Sequence, residues 1–295
     1  MALPNLILIG APRCATTSLF HWLAAHPDVA TARTKEAQYL VDPGSSIFHD
    51  RTNFRDHGLA GYSDLFPEAP VVFDATPGYL YQRTALDVIA RDLPDARLLV
   101  VLRDPTERFL SAHRYFTHNH PVLDVGVTPT ALFERSLAGD TSLPANEFVA
   151  DAVAQGEYAR VLDQWVAACG RDRLMLVLSE DIRDRPADVL TRVAEWTGLD
   201  PVPLLAQDFV AHNVSYSTRR HGLQRVVARA RRFLPSGAAR AAVARAYRRL
   251  NVVTPAEGNS SDDDGLRVRL KAHYDPWNQQ LSERFGLDLT SWRDG

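Results

Sequence analysis

Four short apolar runs, bounded by turn-forming or polar residues, predict the strands of this chain. They cover residues 6–9, 71–73, 96–102 and 174–178. Runs of this length favour strands over helices, and their continuous apolar character is typical of strands covered on both faces. Helical patterns follow the first, third and fourth runs. This alternation predicts an α/β fold with a central, mainly parallel sheet flanked by helices.

The chain immediately after the first strand predicts an anion-binding loop. Gly10 and Pro12 end the strand, and a hydroxyl-rich stretch, residues 16–18, opens an apolar-periodic helix that ends near His26. Such a loop aims backbone N–H groups and the positive end of the helix dipole at one point, which suits a phosphate or sulfate. Arg13 adds a permanent charge there. Taken alone, this stretch is equally compatible with an ordinary βα turn.

Three common phosphate-binding and catalytic loops do not match this stretch. The nucleotide triphosphatase loop needs a second glycine and a lysine, whereas Ala15 and Thr16 stand at those positions. A phosphatase-type cysteine loop needs an arginine six residues after the cysteine, but Phe20 lies six residues after Cys14, which argues against Cys14 as a nucleophile. The G-x-G-x-x-G dinucleotide pattern is also absent. The loop therefore favours an oxyanion outside the usual ATP geometry.

The strand at 96–102 leads into a well-marked helix. Asp104 is a good N-cap, Pro105 suits the first helical position, and Glu107 completes a capping box. Ser111 follows Glu107 by one turn, so we expect it to face the same side as Arg103. Because ligands of parallel sheets bind at the carboxyl ends of the strands, the loop at 10–18, Asp74 and Arg103 are expected to converge.

The remaining central and late segments have weaker patterns. Residues 41–70 look irregular, and residues 255–265 predict an exposed loop, followed by a helix from about 266 to 285. Between residues 219 and 249 there are ten arginines and no acidic residue. This region is either a solvated basic helical face, a lid or acceptor-binding face for an anionic substrate, or a peripheral membrane contact.

Composition narrows the class of protein. A chain of 295 residues favours one domain over 1–295, with 219–262 as a basic helical insertion or lid. A net charge of −3 indicates no general attraction to nucleic acid. Two distant cysteines, Cys14 and Cys169, fit a reducing compartment, and the chain shows no leader or membrane-spanning run, so we predict a cytoplasmic protein.

Two segments carry a resemblance to a known family: GAPRCATTSL at 10–19 and LRDPTERFLSAHRYF at 102–116. Supporting matches are HPDV (26–29), KEAQYL (35–40), DATPGYL (74–80) and the final HYDPWNQQLSERFGLDLTSW (273–292). With them, the chain resembles sulfotransferases that use 3′-phosphoadenosine 5′-phosphosulfate (PAPS), of the type similar to heparan sulfate sulfotransferases and their bacterial relatives.

The resemblance implies a P-loop-kinase-like three-layer fold and transfer of a sulfuryl group from PAPS to an acceptor hydroxyl, or less commonly an amine. It assigns Glu36 as the general base, and it assigns the 3′-phosphate to Arg103 and Ser111. Without the match, Glu36 would be taken as a solvated loop carboxylate. The product would be 3′-phosphoadenosine 5′-phosphate (PAP), and no metal is expected. The residues implied for the 5′-phosphate and sulfate are Arg13, Cys14, Ala15, Thr16, Thr17 and Ser18, with Arg219 and Arg220 as a looser match to a late basic loop.

Two departures from the family pattern affect this interpretation. Arg13 stands where many relatives have lysine, so it would stabilise the leaving oxygen without protonating it. Ala75 replaces a second lysine of heparan-type members, which argues against a heparan-like acceptor and leaves a small natural product, lipid or carbohydrate. Asp74 is expected to orient a neighbour or the acceptor, or to be structural. Two alternatives stay open: a nucleotide-dependent phosphotransferase of the same fold and a non-catalytic binding protein.

Overall fold

Five parallel strands form the central sheet in the order β2-β3-β1-β4-β5. The structure is a computed structural model that describes residues 1–209, 217–218, 252–253 and 261–293. Every residue of β1 is buried, as its apolar run predicts. The strands are β1 (Leu6–Gly10), β2 (Val29–Thr31), β3 (Val71–Ala75), β4 (Arg97–Leu102) and β5 (Leu174–Leu178), and a separate antiparallel pair joins β6 (Ser217–Thr218) to β7 (Val252–Val253).

Helices flank the sheet and connect its strands, which confirms the predicted α/β class. They are α1 (Thr16–Ala24), α2 (Phe54–Ser63), α3 (Arg83–Asp92), α4 (Pro105–Arg114), α5 (Pro129–Leu137), α6 (Glu147–Ala150), α7 (Tyr158–Cys169), α8 (Ser179–Asp184), α9 (Pro186–Thr197), α10 (Pro201–Leu205) and α11 (Ser261–Phe285). A 3-10 turn (Pro77–Tyr81) follows β3, and a π-helical turn (Tyr115–Asn119) extends α4.

The weaker sequence predictions are corrected in two places. The stretch 41–70 is not wholly irregular, because α2 lies within it, capped by the Asn53 side chain that accepts from the Asp56 amide and kinked at Gly58. The loop predicted for 255–265 is wrong from Ser261 onward, where α11 begins. Composition suggests a loop there, but packing favours the helix, because Leu266, Leu270 and Tyr274 of α11 are buried.

The close packing of β1 explains one glycine of the loop that follows it. A Cβ atom added at Gly10 would lie 2.6 Å from Cδ2 of the buried Leu80. Only glycine therefore lets the end of β1 approach the turn after β3. This packing brings the carboxyl ends of the two strands together and positions the segments that leave them.

Two sequence predictions concern residues that the structure does not describe. The basic segment 219–249 lies outside the described residues, as do Arg219 and Arg220 within it. In the described part of the chain, none of the helices combines the length and the apolar character needed to cross a membrane.

Candidate active site

A cleft of about 1430 Å³ opens at the carboxyl ends of β1, β3, β4 and β5. Every described residue that the sequence assigns to catalysis or anion binding lines it, which brings together three segments far apart in the chain. Those residues are Arg13, Cys14, Ala15, Thr16, Thr17, Ser18, Glu36, Arg103 and Ser111.

The loop before α1 presents backbone to the cleft and hides its cysteine. Arg13 and Ala15 take left-handed conformations, with φ of 73° and 61°, and α1 begins directly afterwards at Thr16. The first N–H groups of a helix have no carbonyl acceptor within it, so this end of α1 is suited to an anion. The Cys14 thiol is buried 3.7 Å from the Tyr158 hydroxyl, and burial raises its pKa to about 11. The Cys14 thiol is therefore not available to a ligand.

Arg13 is held against α4 by two contacts. Its Nε donates to Ser111 Oγ at 3.3 Å, and its guanidinium carbon lies 4.5 Å from the centre of the Tyr115 ring. Burial lowers the pKa of Arg13, and the positive charges of Arg103 and Arg114 lower it further. The guanidinium thus lies in a positive environment that an anion would relieve.

The start of α4 places a second arginine at the cleft. Asp104 caps the helix, because its Oδ1 accepts from the Thr106 amide at 2.7 Å. The predicted capping box is only half correct: Glu107 does not return to the Asp104 amide, which instead donates to Glu180 Oε1 at 3.4 Å. Glu107 pairs with Arg103 at 3.5 Å and with Arg267 of α11. The ion pair with Glu107 therefore holds the Arg103 side chain at the cleft.

Glu36 lies in the same cleft within a short polar chain. Lys35 Nζ lies 3.0 Å from Glu36 Oε1, and Gln38 Nε2 donates to Glu36 Oε2 at 3.3 Å. The Oε1 atom of Gln38 lies 2.8 Å from Nε2 of His49. Both oxygens of the carboxylate are thereby oriented, and the side chain is partly exposed to the cleft.

Asp74 does not line the cleft. It is 1% exposed, and its carboxylate accepts from the hydroxyls of Tyr62, Thr76 and Tyr79. Of the roles left open for Asp74, a direct contact with an acceptor is not supported by this placement. Ala75 is fully buried as well.

The charge of the cleft has the opposite sign to the charge of the whole chain. Its described walls carry two carboxylates, Glu36 and Glu107, against a larger number of cations. The net charge of the full chain is −3. A converging set of cations of this kind attracts a multiply charged anion. The cations are Arg13, Lys35, Arg103, Arg108, Arg114, Arg183 and Arg267.

Sequence reasoning missed several side chains of the cleft. Tyr115 follows Ser111 by one turn, a spacing that places both on one helical face and would have predicted its contact with Arg13. Lys35 and Gln38, in the KEAQYL segment, both contact Glu36, and no local pattern in the sequence predicts these contacts. The Nε2 atom of His113 lies 2.8 Å from the Val127 carbonyl oxygen, so this ring nitrogen is engaged within the protein.

The described residues contain no group of three or more histidine, cysteine or acidic side chains that could hold a metal ion. The expectation that no metal is required stays a prediction.

Similarity to known proteins identifies the family of the chain. A family model described as "Sulfotransferase family" matches residues 4–203. Human heparan sulfate glucosamine 3-O-sulfotransferase 3B1 is 30% identical over 202 residues, covering 67% of this chain and 46% of that protein. The bifunctional heparan sulfate N-deacetylase/N-sulfotransferase 1 of Caenorhabditis briggsae is 28% identical over 211 residues, covering 68% of this chain and 23% of that protein. The chain thus spans less than half the length of these relatives.

The crystal structure of a sulfotransferase from Alicyclobacillus acidocaldarius has the same fold. It matches with a TM-score of 0.67 and 21% identity, covering 99% of this chain and 100% of that one. Together with the family match over residues 4–203, this establishes the class predicted from the sequence. The chain belongs to the sulfotransferase family.

Proposed function

We propose that this member of the sulfotransferase family moves the sulfuryl group of PAPS to the hydroxyl, or less commonly the amine, of an acceptor. The observation that carries the proposal is the cleft itself, in which the loop before α1, the start of α4 and Glu36 meet. A site with one candidate base among many cations suits a donor that carries several negative charges.

The donor would bind at the cationic end of the cleft. The backbone of residues 13–18 and the start of α1 would hold the 5′-phosphate and the sulfate. Arg103, just after β4, and Ser111, within α4, would hold the 3′-phosphate. The hydrogen bond between Arg13 and Ser111 supports these assignments, because it places the proposed 5′-phosphosulfate site next to the proposed 3′-phosphate site.

The reaction would proceed by in-line transfer. The acceptor oxygen attacks sulfur, the bond between sulfur and the 5′-phosphate oxygen breaks, and PAP leaves with that oxygen neutralised by Arg13. Glu36 takes the proton of the acceptor, which contributes about 10²- to 10⁴-fold for a general base. Gln38 and Lys35 orient its two oxygens.

The acceptor would be a small natural product, a lipid or a carbohydrate. One wall of the cleft is uncharged, where Ile47 and Phe148 lie close to Gly78. The buried Ala75 adds no charge to it. This wall fits a neutral acceptor better than a highly sulfated chain. We place the enzyme in the cytoplasm, in keeping with Cys14 and Cys169, which are buried and unpaired.

The experiment is to incubate the protein with ³⁵S-labelled PAPS and a panel of alcohols, sterols and sugars, and to follow labelled product. Glu36→Gln is expected to lower turnover by about 10²- to 10⁴-fold, with the affinity for PAP within about twofold of the wild type. Glu134→Gln, an exposed carboxylate outside the cleft that pairs with Arg269, is the matched control. Turnover by Glu36→Gln equal to that of the control would refute the assignment of the base.

A further inference from the structure

The buried carboxylate of Asp74 has no place in the reaction described above, yet it is connected to the segment that carries Glu36. It lies at the end of β3, and all three of its hydroxyl partners are within hydrogen-bonding distance. Tyr62 donates at 2.6 Å, Thr76 at 2.8 Å and Tyr79 at 3.0 Å. An ionised carboxylate only accepts hydrogen bonds, so each hydroxyl must act as the donor in its hydrogen bond to Asp74.

Two of these hydroxyls also accept hydrogen bonds from the backbone amides of residues 38–40. Thr76 Oγ1 accepts from the Gln38 amide at 3.2 Å. The Tyr79 hydroxyl accepts from the amides of Tyr39 at 2.9 Å and Leu40 at 3.2 Å. Three consecutive amides, those of residues 38–40, are therefore held by two hydroxyls that donate to Asp74.

The backbone that these contacts hold is a strained one. Gln38 is a non-glycine residue with a φ of 49°, in the left-handed region. Such a conformation persists only where the surrounding contacts impose it. Its side chain then reaches Glu36 Oε2 at 3.3 Å, with Oε1 at 2.8 Å from His49 Nε2. The left-handed backbone at Gln38 thus directs its side-chain amide, which donates to the Glu36 carboxylate.

We propose that Asp74, acting through Thr76 and Tyr79, is a positioning residue that fixes the backbone of residues 38–40 and so aims Glu36 at the acceptor. This rests on the proposed function of Glu36. Asp74 itself is buried outside the lining of the cleft. Burial raises the pKa of Asp74, and its hydroxyl donors oppose that rise. Because the hydroxyls point their protons at the carboxylate, their lone pairs are left to receive the amides.

Two pairs of substitutions separate positioning from simple stability. Thr76→Val removes the hydroxyl that joins Asp74 to Gln38, and Thr76→Ser keeps it. Tyr79→Phe removes the hydroxyl that accepts from two amides of the segment. Tyr62→Phe removes an equally buried hydroxyl that also donates to Asp74 but accepts from no amide of the segment, and its ring can still stack on Tyr39 at 5.1 Å.

The assay is release of inorganic sulfate from PAPS, with water as the acceptor, alongside calorimetric titration with PAP. Thr76→Val and Tyr79→Phe are expected to lower kcat by about 10- to 100-fold, with the affinity for PAP within about twofold of the wild type. Thr76→Ser and Tyr62→Phe are expected to keep kcat within about threefold. Equal kcat for all four variants would overturn the positioning role.

Glu36→Gln separates this inference from the proposed function. If Glu36→Gln releases sulfate as fast as the wild type, the base assignment fails and the positioning role fails with it. If Glu36→Gln is slow but Thr76→Val is not, only the positioning role fails.

Amide hydrogen exchange of residues 36–41 gives a readout that does not depend on turnover. The proposal predicts faster exchange of this peptide in Thr76→Val and Tyr79→Phe, and unchanged exchange in Thr76→Ser and Tyr62→Phe. Protection that survives in Thr76→Val and Tyr79→Phe would contradict the proposal whatever the activity.

Discussion

Replacing Arg13 should weaken donor binding while leaving the ligand-free protein as stable as before, or more stable. The two effects differ in sign because Arg13 is a half-buried cation beside other cations. Burial and the charges of Arg103 and Arg114 lower the pKa of Arg13. In the ligand-free protein, the positive charge of Arg13 therefore contributes unfavourably to folding. An anion in the cleft reverses that balance.

The magnitude follows from the hydrogen bonds that the guanidinium offers. Each hydrogen bond to a charged group contributes about 1.5–3 kcal/mol, which corresponds to a roughly 10- to 150-fold change in Kd. Arg13→Met keeps apolar contact with the Tyr115 ring and removes the charge, so the affinity for PAP should fall by about that factor. Arg13→Lys keeps the charge but loses the planar fork, so we expect roughly a tenfold loss.

The assay is isothermal titration calorimetry with PAP, together with thermal unfolding of the ligand-free variants. Arg91→Met, an exposed arginine that pairs with Asp92 outside the cleft, controls for the change in net charge. Without ligand, the Tm of Arg13→Met should equal or exceed that of the wild type. An affinity of Arg13→Met within twofold of the control would refute the assignment of Arg13 to the donor site.

Two further predictions concern the segment around β1. Gly10→Val should destabilise the protein by about 1–3 kcal/mol in urea unfolding, because the added Cβ would meet the Leu80 side chain at 2.6 Å. Gly265→Ala, in α11 with no atom within 4 Å of the added Cβ, is its control, and an equal loss in both would contradict the packing argument. The Cys14 thiol, with a pKa of about 11, should be roughly 0.1% ionised at pH 8. It should therefore resist iodoacetamide until the protein unfolds, and labelling of its peptide within minutes in the native state would show that the thiol is not buried.

The central sheet was predictable because its strands are continuous apolar runs with little competition from other structures. All four predicted strands are present, each within one or two residues of its expected bounds. The edge strand Val29–Thr31 was not predicted, because three half-buried residues are too few to show the alternation of apolar and polar positions that marks a strand. Helix α2 escaped for a related reason: Gly58 interrupts its apolar pattern, and its start depends on a side-chain cap at Asn53.

The cleft was predictable in its residues but not in its contacts. Strand ends and turn residues place the loop before α1, Arg103 and Asp74 at one edge of the sheet, as expected. The direction of each side chain depends on packing that no local pattern encodes. Asp74 turns inward and meets the Tyr62 hydroxyl of α2 as well as two hydroxyls just after its own strand, and Glu107 reaches Arg267 from a helix 160 residues later in the chain. Such contacts are tertiary, so the sequence leaves them open.

The measurement that tests the account most directly is thermal unfolding with PAP beside ADP and ATP. Ligand at about 100 times its Kd adds roughly 2.7 kcal/mol, which for a chain of this size raises Tm by several degrees at about 2–4 °C per kcal/mol. The account predicts this rise with PAP and a much smaller one with ADP or ATP, because Arg103 and Ser111 are assigned to the 3′-phosphate. Equal shifts with ATP, or no shift with any of the three nucleotides, would contradict the assignment of the cleft as a PAPS site.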